Sequence, residues 1–300
     1  MPVDVNRPGP WNHRNLTARG TRFHVALAGP EAPSGSGVLT LLIHGFPECW
    51  WTWRHVIPAL AQAGHRVAAL DLRGFGGSDR PPSGYDLVTL AQDIAAVVRS
   101  LGHERAMVIG AGLGGQVAWA LPHMAPDLTR AIVPVGAPHP LALRSLRSRA
   151  LSGPALQYAS LQIPGLAERR LRSRSALEGL LRSWAGPHTR EAVAEEAPYY
   201  AELLSRPGAA RSALEPLRNL MLSRAETAAL ERPVTVPVLS VQGQLDPVQP
   251  AQAYARDTHH VTGNLRQATI RRSGHFPQEE APAELVRALI PFLADVAPAV

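Results

Sequence analysis

Met107-Val108-Ile109-Gly110-Ala111-Gly112-Leu113-Gly114-Gly115 is a short apolar run that breaks into a sharp glycine turn. Val117, Trp119, Ala120 and Met124 then carry on as the apolar stripe of a helix. A strand that feeds a helix through small residues serves chemistry in two known ways. In one, Gly-x-nucleophile-x-Gly forms a strained turn that lifts a reactive side chain above the end of a sheet. In the other, Gly-x-Gly-x-x-Gly cradles a pyrophosphate at a helix N-terminus, and Gly110, Gly112 and Gly115 satisfy that spacing. On the first reading the reactive residue belongs at 112, where this chain has glycine.

Outward from this joint, strands and helices alternate. Residues 22–28 alternate polar and apolar and read as a strand, and 38–43 is an apolar run of strand length. Residues 53–63 look helical, 66–70 form the next strand and 87–101 a long amphipathic helix. Residues 131–135 are another buried strand. Between about 140 and 232 only helix-like stretches occur, punctuated by Gly and Pro. Strand signals resume at 238–242 and 265–270, with helices near 252–260 and 283–296. Strands spaced by helices imply a mostly parallel sheet with helices on both faces. The expected fold class is α/β, with core segments 1–138 and 236–300 and an inserted helical cap at 139–235.

Composition narrows the function classes. Three hundred residues at 45% apolar content suit one large domain, or a core with an insertion. No apolar run reaches the ~18 residues of a membrane span. Residues 1–15 lack the apolar stretch of a secretory signal, so a cytoplasmic protein is expected. A single cysteine, Cys49, rules out an internal disulfide framework and a cysteine-ligated metal cluster, and no metal or cofactor is expected. The formal charge of +6 is carried by arginine alone, for there is no lysine. Eight of the thirty arginines lie between Arg144 and Arg182, opposed there only by Glu168 and Glu178. No interleaved aromatics accompany them, so they read as solvated helix faces and not as a nucleic-acid surface.

Several landmarks resemble the epoxide hydrolases, which share an α/β-hydrolase core with the haloalkane dehalogenases. They are His44-Gly45-Phe46-Pro47-Glu48, Trp50, Trp53-Arg54, Ile57-Pro58-Ala59-Leu60 and Asp71-Leu72-Arg73-Gly74-Phe75-Gly76. Gly136-Ala137-Pro138-His139-Pro140, Gly243-Gln244-Leu245-Asp246-Pro247 and Gly274-His275-Phe276-Pro277 follow in the same order. The resemblance implies a pocket for a small apolar, epoxide-like molecule, with His44, Pro47 and Trp50 near it. It also implies catalysis by an elbow aspartate that opens the epoxide to an ester, and by a carboxylate-held histidine that activates water to cleave it. Asp246 and His275 match the acid and the base, and the backbone N–H groups of Phe46 and Leu113 match the oxyanion hole.

The departures fall where the chemistry is. Gly112 occupies the nucleophile position and has no side chain to attack with, and Ala111 replaces the histidine common before it. Matching Gln162-Ile163-Pro164-Gly165 and Arg218-Asn219 to cap motifs puts Ser160 and Leu217 where the family has two epoxide-protonating tyrosines. Tyr158 is two residues from the first of these. The dinucleotide reading needs an acidic residue at the end of the strand at 131–135, which instead runs into Gly136-Ala137. Two readings remain. The protein uses the Asp246–His275 pair as a general base, inactive on ordinary epoxides, or it is a non-catalytic derivative that binds a small ligand or partner.

Overall fold

The computed structural model describes residues 3–31, 37–144, 159–218 and 222–296. Its sheet comprises β1 (Asn12–Ala18), β2 (Thr21–Ala28), β3 (Val38–Ile43), β4 (Val67–Leu70), β5 (Arg105–Ala111), β6 (Thr129–Val135), β7 (Val238–Gly243) and β8 (Leu265–Ile270). The order across the sheet is β1-β2-β4-β3-β5-β6-β7-β8. β1 and β2 pair antiparallel, as do β2 and β4, and every pairing beyond β4 is parallel. Helices Leu87–Ser100, Leu113–Met124 and Pro282–Val296 turn the apolar residues Leu90, Ile94, Val97, Val117, Leu121, Leu285 and Leu289 to the core. The central strands are near-continuous apolar runs because both faces are covered: Leu41, Leu42, Val108, Ile109, Ile132 and Val133 are all 0% exposed. Each such side chain contributes about 1.5–3 kcal/mol of burial.

β1 escapes a sequence reading. Asn-His-Arg-Asn-Leu-Thr-Ala is polar and lies on the sheet edge, with only Leu16 and Ala18 buried. It is held by its register with β2, closed by the two-residue turn Arg19-Gly20, whose φ angles are both positive (50° and 73°). That is the twist a tight hairpin demands, here with Arg in the place Asn or Asp more often takes. The expected helix at 53–63 is instead a 3₁₀ turn, Trp50–Trp53, and a short helix Ile57–Gln62 with Pro58 in its first turn, where the missing N–H costs no helical bond.

Among the described residues, helices alone lie between β6 and β7, among them Leu166–Arg172, Arg174–Trp184, Ala197–Leu204 and Ala209–Arg218. In Arg174–Trp184 the residues Leu177, Leu180, Leu181 and Trp184 are buried, at helical spacing. The opposite face pairs Arg174 and Arg182 with Glu178, and Arg182 with Glu191. Much of the arginine excess is thus an ordinary solvated face.

Register places the working edge of the molecule. Ile43 lies opposite Gly110, Ala111 opposite Val135, Val135 opposite Val241 and Gly243 opposite Ile270. Five parallel strands therefore end together, and the loops leaving them begin at His44, Gly112, Gly136, Gln244 and Arg271. Crevices at the carboxyl ends of such strands are where α/β sheets bind ligands.

Candidate active site

Gly112 is the hinge between β5 and the helix Leu113–Met124. Its φ is +49° and ψ −111°, a conformation strained for any residue with a side chain. Its N–H donates to the Val135 carbonyl and its carbonyl accepts from Gln116 N–H, so the turn is held from both sides. The glycines around it are needed for contact: a Cβ at Gly110 would sit 2.1 Å from the Gly114 carbonyl, and one at Gly114 2.4 Å from the Ile43 carbonyl. Gly110 and Gly115 thus serve the close packing of strand against helix, with no carboxylate after β6 to hold a ribose. The dinucleotide alternative finds no support here.

At Gly112 itself the situation is the reverse. Among the described residues, only Gly45 Cα and His275 Nε2 lie within 4 Å of a Cβ built there, both at 3.6 Å, ordinary contact distances. The imidazole faces this space because the loop after β8 is fastened along its length. His275 N–H donates to the Trp184 carbonyl, and the Trp184 ring meets the imidazole edge-on at 5.6 Å. A Cβ at Gly274 would fall 2.3 Å from Gly186 N, so the helical segment lies directly against the loop. His275 Nδ1 is 3.0 Å from Asp246 Oδ2, while Asp246 Oδ1 accepts from the N–H groups of Val248 and Gln249. Burial pulls the imidazole pKa down, but the Asp246 carboxylate and its hydrogen bond lead the opposing effects, and the net shift is upward. The pair can hold and pass a proton at Nε2, over Gly112.

The remaining expected residues separate. Phe46 and Leu113 flank the contact between Gly45 and Gly112, and neither backbone N–H has a hydrogen-bond partner among the described residues. Pro47 lines a small cavity with Glu48, Phe75 and Tyr200. His44 and Trp50 are both 0% exposed and packed into the core. His44 Nε2 accepts from Leu72 N–H, which leaves Nδ1 to donate to the Gly45 carbonyl, and burial keeps the ring neutral. Trp50 donates from its indole to the Val5 carbonyl, and its N–H donates to Asp71. Ser160 accepts from Arg170 in the helical segment, Leu217 is buried there, and Tyr158 lies outside the described residues.

Two carboxylates complete the site without having been singled out by sequence. Glu48 is buried, accepts from Thr52 at 2.6 Å and from Gln278, and burial together with nearby Glu279 pushes its pKa to about 8. Glu280 accepts from Gly274 and Phe276 N–H, from Gly186 N–H and from the Thr189 hydroxyl. The one signal for either was adjacency: Glu48 ends the His-Gly-Phe-Pro run, and Glu280 lies five residues beyond His275.

The chain matches the alpha/beta hydrolase fold family over residues 40–282. It is 31% identical to epoxide hydrolase A of Mycobacterium tuberculosis (strain ATCC 25618 / H37Rv) over 323 residues, covering 95% of this chain and 98% of that protein. Its match to epoxide hydrolase B of the same strain is 44% identical over 128 residues. That match covers 42% of this chain and 35%, about a third, of that relative's length. The crystal structure of wild-type Cfl2 from Burkholderia cenocepacia shares the fold with a TM-score of 0.81 at 30% identity, covering 94% of this chain and 96% of that one. A match that runs from Thr40 through the glycine turn and the His275 loop to Pro282 leaves one assignment: the chain belongs to the alpha/beta hydrolase family and is epoxide-hydrolase-like within it.

Proposed function

We propose that this epoxide-hydrolase-like protein forms no ester with its substrate, because position 112 offers no nucleophile, and that it uses His275 as a general base on a small apolar molecule. The observation that carries this reading is His275 Nε2, 3.6 Å from the Cβ position of Gly112, with Nδ1 held by Asp246. A base so placed can take a proton from a bound molecule or a water, while the N–H groups of Phe46 and Leu113 stabilise the charge that develops. Direct attack by water lacks the covalent step, so simple epoxides should be poor substrates. The helical segment 139–235 serves as the cap in this reading, and the protein works in the cytoplasm. Among the described residues, no helix is long and apolar enough to cross a membrane.

The test is mass spectrometry of the native protein with a simple terminal epoxide, with diol formation followed alongside. No adduct and turnover far below the ~1–10³ s⁻¹ common for enzymes are expected. An adduct, or turnover in that range, overturns the proposal. Gly112→Asp alone should restore little hydrolysis, and adding Ser160→Tyr and Leu217→Tyr should restore more. Loss of all ligand turnover in the native protein, with ligand binding retained, would favour the non-catalytic reading.

A further inference from the structure

We propose that the space above Gly112 is a binding site for a small free carboxylate, its oxygens meeting the N–H groups of Phe46 and Leu113 and the Nε2 proton of His275. This rests on reading 112 as the nucleophile position. Three features converge there. Among the described residues, a Cβ on Gly112 would meet Gly45 Cα and His275 Nε2 alone within 4 Å, both at ordinary contact distance. Phe46 and Leu113 bring N–H groups without acceptors among the described residues, and Leu113 begins a twelve-residue helix whose N-terminal dipole favours negative charge. His275, its side chain 7% exposed, has Nδ1 engaged by Asp246 and Nε2 turned to Gly112 without a partner among the described residues. These groups donate hydrogen bonds, and a carboxylate accepts them along two directions at once.

The titratable groups nearest the imidazole are Asp246 after β7, Glu48 after β3 and Glu280 beyond the loop, and Asp246 above all holds its pKa above the ordinary value despite burial. A protonated His275 is held by Asp246 at Nδ1, and its Nε2 has no hydrogen-bond partner among the described residues. A carboxylate arriving at Gly112 would make that proton more firmly held, so binding should take up a proton and weaken as pH rises through the imidazole pKa.

Acetate is the probe, titrated at constant ionic strength into the native full chain and followed by calorimetry and by the ¹⁵N resonances of the His275 ring. One-to-one saturation is expected, with proton uptake and an upward shift of the His275 titration. Gly112→Asp, which carries its own carboxylate into the space, and His275→Gln, which removes the proton, should each weaken acetate at least about tenfold. His275→Gln serves as the independent test if the strained φ at 112 keeps the first variant from folding. Absence of saturation, or equal affinity in folded Gly112→Asp or His275→Gln, overturns the proposal. Epoxide turnover by the native chain in acetate-free buffer would refute the general-base reading and leave the acetate result standing. Failure of acetate to bind would do the converse.

Discussion

Glu280 accepts hydrogen bonds from the amides on either side of His275, Gly274 N–H and Phe276 N–H, each at 2.9 Å. The same carboxylate takes the Gly186 N–H at 2.7 Å and the Thr189 hydroxyl at 2.5 Å, from the segment that packs over the sheet. One side chain therefore fixes both the loop that carries the imidazole and the helices lying on it.

Glu280→Ala should destabilise the fold by roughly 3 kcal/mol or more, since it leaves several donors without their charged acceptor. Urea denaturation measures this. Glu280→Gln retains a single acceptor oxygen and turns an NH₂ group toward the same donors, so it should recover only part of the loss.

Glu48 gives a pH dependence of unusual sign. Its pKa is about 8 in the folded protein because burial, and then Glu279, disfavour the charged form, whereas a free glutamate titrates near 4.5. Between these values the folded chain holds a proton that the unfolded chain releases. Its contribution to stability is therefore full below about pH 4.5 and is lost as pH climbs toward 8. Glu48→Gln, which keeps the shape without the titration, should flatten the decline of stability between pH 5 and 8. An unchanged slope would show that Glu48 ionises normally.

Asp246→Asn should lower the His275 pKa, because burial, which pulls the imidazole down, would then act without the carboxylate that opposes it. An NMR titration of the ring reads this directly. The variant should keep its fold, for an Asn Oδ1 can still accept from Val248 and Gln249 N–H.

Gly112→Ala should cost about 1 kcal/mol, from the positive φ alone, since its Cβ meets nothing closer than 3.6 Å. Gly110→Ala should be far worse, with its Cβ 2.1 Å from the Gly114 carbonyl. Comparing their denaturation midpoints separates strain from collision at this joint.

The order of elements was legible in the residues because the central strands are buried on both faces and run near-continuously apolar: 38–43 ends where the periodicity says it does. The glycine joint and the spacing of Asp246 and His275 belong to the same local grammar, as do the long helices. β1 was not legible, because a polar edge strand owes its existence to β2's free hydrogen bonds and leaves little mark on its own sequence. Tertiary structure alone decided that His44 and Trp50 are core, since burial depends on what packs against a residue and not on its neighbours in the chain. It alone decided that Glu48 comes near His275 and that Glu280 ties the His275 loop to Gly186 and Thr189, because those approaches join segments far apart in sequence. The absence of a side chain at 112 is written in the sequence. That the imidazole looks into the room so left is a property of the fold.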